Sequence, residues 1–218
     1  AIEYGYSIAA TWDSDTPVTP EGPLVLPGNY QLVLHVGGKS YRAPLVIALD
    51  PREQVSQDEL VTALTYSRKI AAILQRVWQG YGEVEAVRDQ LDTLDRKLNQ
   101  SAAHQALLES VDSLRIKTTP LVDGTGEASL NLHAISDALA AIATDVEGAD
   151  HAPTDGQQQA LAQYQTNVDK ALAQWSAIRT TELTKLNQQL HDAGIDAITV
   201  ANPDRVASKE TGESEGTP

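Results

Sequence analysis

The side chains that could ligate a metal or move a proton include five histidines, His35, His104, His133, His151 and His191, alongside 30 Asp and Glu. A metal site built on one helix needs histidines one turn apart, and no two of these have that spacing. A di-iron bundle would need inward Glu and a Glu-x-x-His step, which does not occur. The carboxylates Glu83, Glu85, Asp89, Asp92 and Asp95 are instead interleaved with Arg88, Arg96 and Lys97. That is the make-up of a solvated helix face with weak pairs one turn apart. The chain has no Cys, which excludes disulfides, thiolate nucleophiles and zinc ribbons. Asp123-Gly124-Thr125-Gly126-Glu127 is glycine-rich but lacks the Lys of a phosphate loop, and no strand precedes it. No G-x-S-x-G occurs. The residues predict no catalytic, cofactor-binding or metal site.

The bulk composition narrows the partners. The formal net charge of −14 and pI near 4.6 lack the basic face that displaces counterions from nucleic acid. The same charge opposes docking on anionic membranes, and no apolar run is long enough to span a bilayer. Hydrophobic residues make up 41% of the 218, with no Phe or Met, so the core must come from Leu, Val, Ile and Ala with three Trp and seven Tyr.

The elements that would position any site fall into two kinds. Tyr30, Leu32, Leu34 and Val36 alternate with more polar residues, and Tyr41, Ala43, Leu45, Ile47 and Leu49 form a second period-two set. Gly37-Gly38 between them suits a two-residue hairpin turn. Pro44 makes the second strand an edge or a bulge. Ala1 to Trp12 reads as one more strand, so the unit borrows sequence from upstream or packs on helices. Trp12, Tyr4 and Tyr6 would fix it to the bundle or to an upstream domain. Without an initiator Met, residue 1 is read as a processed end or, preferably, a fragment boundary.

At Asp50-Pro51 the period changes. Ser56-Gln57-Asp58-Glu59 is a capping box, with Ser56 at the N-cap and Glu59 reaching back, flanked by Val55 and Leu60 at staple positions. The seam beyond it is Leu60, Leu64, Ser67, Ala71, Leu74, Trp78 and Tyr81. It slips in phase near Gly80 and Gly82, where a kink or bulge is expected, and resumes through Val84, Val87, Leu91, Leu94 and Leu98. Helix is expected again from Ser101 to about Leu114, broken by TTPLVDGTGEAS, then from about Leu130 to Val146. A second capping box at Thr154–Gln157 opens the last helix, which carries Leu161, Tyr164, Val168, Leu172, Trp175, Ile178, Leu183, Leu186 and Leu190 and stops at Gly194. Trp78, Tyr81 and Trp175 are expected to pack together as core. The sequence thus predicts an α+β chain that is mostly α. A small antiparallel β unit (1–52) precedes an antiparallel bundle of about four helices (53–198) with a very long first helix. A disordered tail (199–218) completes the chain.

Several stretches carry a resemblance: GYSIAA (Gly5 to Ala10), DTP (Asp15 to Pro17), PEGPLVLPGNY (Pro20 to Tyr30) and GKSYRAPLVIALDPR (Gly38 to Arg52). With WSAIRTTELTKLNQQL (Trp175 to Leu190), they resemble the C-terminal region of bacterial BNR-repeat β-propeller proteins of sortilin-like or glycosyl hydrolase-like type. In that family a propeller is followed by an Ig-like strand unit and a helical segment. The chain departs from the pattern with Gly37-Gly38 where Asp-Gly is usual, and with Tyr66 in place of a Phe. The resemblance implies an Ig-like β unit in an extracytoplasmic bacterial protein, with a non-catalytic accessory or scaffold role. The implied partner is an upstream propeller or another protein, or a second copy of the chain. Alternatives are shaping the substrate site of a glycan-active propeller, or self-assembly. No catalytic residue carries over, because the propeller is not in this sequence. The interaction and structural candidates are Trp12, Tyr30, Tyr41, Ser56, Glu59, Trp78, Tyr81 and Trp175.

Overall fold

The computed structural model describes residues 23–99, 104–125, 130–148 and 151–200. The expected strand at the N-terminus, with Trp12, and the tail beyond residue 200 lie outside them.

Strands β1 (Gly28–Val36) and β2 (Lys39–Ile47) form an antiparallel hairpin in the register Val36↔Lys39 to Gly28↔Ile47. Gly37 and Gly38 take φ of +55° and +75°, the two positive values that a turn matching strand twist requires. The register runs through Pro44 opposite Gln31 without a bulge, so β2 is an edge strand there. Residues directly opposite share a face. Tyr30, Leu32, Leu34 and Val36 therefore lie on one side with Tyr41, Ala43 and Leu45.

The junction to the helices is short and pinned. The Asp50 carboxylate accepts hydrogen bonds from the Arg52 backbone N–H at 3.0 Å and from its guanidinium at 2.6 Å. The Ser56 hydroxyl accepts from the Glu59 N–H at 3.2 Å, while the Glu59 carboxylate accepts from the Ser56 N–H at 2.9 Å. Two of the four orphan donors at the helix start are thereby satisfied.

Helix α1 (Gln57–Leu98) has 42 residues, about 63 Å at 1.5 Å per residue. Its ladder is α-helical throughout, so the expected bulge near Gly80 is absent. The phase does not slip there. The buried series is Tyr66, Ile73, Gly80, Val87 and Leu94, interleaved with Ile70, Val77, Val84, Leu91 and Leu98. Both run at seven-residue steps. Gly80 is itself a seam position. Trp78 and Tyr81 flank the seam half-buried and are not members of it.

Helix α2 (Gln105–Val122) runs antiparallel to the C-terminal half of α1, with Arg115 on Asp92 at 3.0 Å and Arg88 on Asp123 at 3.1 Å. It does not break at Thr118-Thr119-Pro120, because Leu121 and Val122 are buried and hold the final turn on the bundle. Pro120 is exposed in that turn. Helix α3 (Leu132–Glu147), capped by Asn131, continues the same direction along the N-terminal half of α1. Helix α4 (Asp155–Ala177) runs parallel to α1 and opens with the second capping box, Thr154 and Gln157. Tyr66 on Gln157 and Arg76 on Asp169 mark its alignment. A π turn (Ile178–Leu183) links it to α5 (Thr184–Asp192).

The four helical stretches expected thus build a bundle of three rods: α1, then α2 and α3 end to end, then α4 with α5. Gly194, at φ +70°, ends the last rod. The Ile195 N–H reaches the Leu190 carbonyl at 2.9 Å and the Gly194 N–H reaches His191 at 3.0 Å, a Schellman stop. The chain then turns back. Asn187 clamps Ile198 through N–H and carbonyl at 2.9 Å each, and Gln90 does the same for Thr199 at 3.0 and 2.7 Å.

Candidate interaction surface

The bundle closes on itself and the hairpin does not. Along α1, Ile70, Val84, Val87 and Leu91 are fully buried. On the hairpin, Leu34 is 61% exposed, Val36 and Tyr41 are 56% exposed, and Leu32 is 55% exposed. All four lie on one face of the sheet, so among the described residues this face is an uncovered apolar patch. The opposite face carries Gln31, His35, Ser40 and Arg42 together with the exposed Val33 and Val46, and Lys39 stands at the turn end of the apolar face. The first four pair across the strands: Arg42 donates to the Gln31 Oε1 at 2.6 Å, and the Ser40 hydroxyl lies 2.8 Å from the His35 Nδ1. The larger run of exposed apolar side chains thus lies on the Leu32, Leu34, Val36 and Tyr41 face, while the other face mixes cross-strand polar pairs with two valines.

The hairpin is held at its base. The Tyr30 hydroxyl donates to the Leu26 carbonyl at 2.6 Å, folding the preceding segment back along β1. Leu24, Val25 and Pro27 share a groove with Leu60, Leu64, Val146 and His151, at the start of α1 and the end of α3. Tyr30 thus anchors the strand, while Tyr41 stays free on the open face. Ser56 and Glu59 act at the junction as expected.

Trp78 and Tyr81 stand half-buried beside the α1 seam, and Trp175 is buried on α4. Trp175, 3% exposed, donates its Nε1–H to the Glu83 carboxylate at 2.7 Å, and Arg179 donates to the same oxygen at 3.0 Å. Glu83 thereby ties the third rod to the first just before the π turn. Tyr81 meets His133 edge-on with ring centroids 5.8 Å apart, and His133 pairs with Asp137 at 3.1 Å. Trp175 and Tyr81 thereby tie the second and third rods to the first.

A second feature was not foreseen from residue types. Beside the π turn lies an open groove of about 320 Å³ lined by Glu109, Ser113, Glu182, Lys185 and Gln189. Its signal in the sequence is the five-residue step from Ile178 to Leu183 in a series that otherwise advances by three or four. An α-helix cannot keep both on one face across that step, and a π turn can. Some of the polar groups there are engaged elsewhere, while the buried Gln189 Oε1 has no hydrogen-bond partner among the described residues. Lys117 holds Glu182 at 2.6 Å and keeps its carboxyl below the usual range, and the Ser110 hydroxyl donates to the Ala106 carbonyl. Among the described residues no group of three His, Asp or Glu could hold a metal ion, and no helix is long and apolar enough to cross a membrane.

Comparison of the chain with family models, with curated proteins and with solved structures finds no match.

Proposed function

We propose that this chain is a non-catalytic accessory module whose rods hold a β-hairpin in a fixed place, and whose apolar hairpin face docks on a neighbouring protein domain. The observation that supports this reading is the contrast between a bundle that buries its own seams and a hairpin that leaves Leu32, Leu34, Val36 and Tyr41 in water. Burying one such side chain stabilises by about 1.5–3 kcal/mol, which this face forgoes until a partner covers it. Following the resemblance, the partner is the propeller of the same parent polypeptide, in an extracytoplasmic bacterial setting.

The test places like charges on the face. Leu34→Lys with Tyr41→Lys should abolish binding of this chain to the propeller portion encoded beside it, titrated by calorimetry. Ile116→Lys, on an exposed bundle position 72% accessible, should leave binding intact. Equal binding by the face variant, or a gene that encodes no propeller beside this chain, overturns the reading.

A further inference from the structure

Charge is divided unevenly along this chain, and the hairpin stands on the cationic side of the division. Between Glu21 and Asp50 there is no Asp or Glu, although the chain has 30. The same stretch holds Lys39 and Arg42, two of the chain's 16 Lys and Arg. The net charge of −14 is therefore carried by the rest of the sequence. Cations on the rods find carboxylates, as Arg76 does on Asp169 at 2.6 Å, Arg115 on Asp92 at 3.0 Å and Lys117 on Glu182 at 2.6 Å. Those of the hairpin do not. Arg42 donates to the neutral Gln31 Oε1 at 2.6 Å, and among the described residues neither Arg42 nor Lys39 has a carboxylate partner.

The two cations stand in different places. Lys39 lies directly opposite Val36, on the face of Leu32, Leu34 and Tyr41. Arg42 lies opposite Val33, on the other face. A surface that covers Val36 is brought up to Lys39 as well and strips water from its ammonium. Desolvating an unpaired ammonium is costly, and a carboxylate across the contact offsets that cost. Arg42 stays outside the contact, where a charge governs the rate and salt dependence of encounter more than the final affinity.

We propose that the hairpin face docks on a protein surface that is apolar at its centre and carries carboxylates at its rim. The inference rests on the docking reading and adds the charge of the partner. A second copy of the chain does not fit. Its hairpin presents the same two cations, and its acidic bundle has turned its apolar seams inward. An anionic lipid surface would match Lys39 but meets the −14 of the whole chain.

A chemical-shift titration of the full chain, followed by NMR, tests the charge preference without a natural partner. The probes are two short blocked peptides, one of alternating Leu and Glu and one of alternating Leu and Lys, and vesicles of phosphatidylglycerol. The acidic peptide should shift the amides of Leu34, Val36, Lys39 and Tyr41 saturably. At low salt it should bind at least ~5-fold more tightly than the basic one. The gap should close at about 1 M salt, where the Debye length is about 3 Å. Lys39→Gln with Arg42→Gln should also close it, with the amides of α1 unmoved. Equal binding of the two peptides, tighter binding of the basic one, no saturable shift with either, or a preference that survives the double substitution would each overturn the proposal. Vesicles that shift these amides where the acidic peptide does not would assign the face to lipid and overturn it too. The propeller titration stays separable. A chain that prefers the acidic peptide but binds no propeller refutes the docking partner alone, and one that binds the propeller without the preference refutes the charged rim alone.

Discussion

At Gly80 the third rod's Leu172 packs directly against the backbone of the first, and a four-protein cycle tests the role of the glycine. A Cβ built at Gly80 would lie 2.4 Å from the Leu172 Cδ2 and 3.6 Å from the Leu132 Cδ1. Gly80→Ala gains about 1 kcal/mol of helix propensity. Against that, forcing a methyl into occupied space costs about 1–3 kcal/mol. The single substitution should therefore fall between no change and a loss of about 2 kcal/mol. Leu172→Ala removes the obstructing atoms, and in that background Gly80→Ala should show its full gain of about 1 kcal/mol. The two sites should thus couple by about 1–3 kcal/mol. Urea unfolding followed by the fluorescence of Trp175, buried in the same rod, reads all four proteins. If Gly80→Ala has the same effect in both backgrounds, within about 0.5 kcal/mol, the glycine is not there to admit Leu172 and the close approach is refuted.

Two further outcomes concern the polar groups on α1. Ser56→Ala should destabilise the chain by about 1 kcal/mol through loss of the N-cap. The Ser56 hydrogen bonds hold the Glu59 carboxyl below its usual range, so that contribution is present above the ordinary glutamate pKa and is lost as pH falls through the lowered folded value. The Tm difference between the two proteins should accordingly shrink at low pH; a constant difference would contradict the capping box. Glu85 behaves in the opposite sense. Burial pushes its carboxyl up, opposed by Arg88 and reinforced by Asp89, Asp123 and Asp92, so folding disfavours its charged form. Glu85→Gln should raise Tm at neutral pH, with the advantage fading as pH falls through the raised value; a lower Tm at pH 7 would count against it.

What was legible in the sequence was local. The Gly37-Gly38 turn, both capping boxes and the Gly194 stop are each set by two to four neighbouring residues, and each is found where the residues place it. The misreadings came from assigning seams by residue size. Trp78 and Tyr81 looked like core because they are large, which forced a phase slip that Gly80, a residue with no side chain, removes once it is counted as a seam position. Thr118-Thr119-Pro120 looked like a break because proline stops helices in general, but burial of Leu121 and Val122 is a tertiary term that no local rule carries. The end-to-end placement of α2 and α3 was likewise beyond local reading, since it depends on both fitting along one 42-residue helix. The open hairpin face was visible as an alternation, but its exposure was not, because alternation specifies two faces and does not say which is covered.

An odd number of rods has a consequence for where the chain goes. The hairpin stands at the start of α1, near Gln57, and the last described residues are clamped to Gln90, 33 positions further along the same helix, or about 50 Å. A bundle with an even number of passes would return the chain to its starting end, as a side branch does. Three passes deliver it to the far end. Leu24, beside the start of α1, and Val200, just past the Gln90 clamp, are therefore separated by most of the length of a single continuous helix.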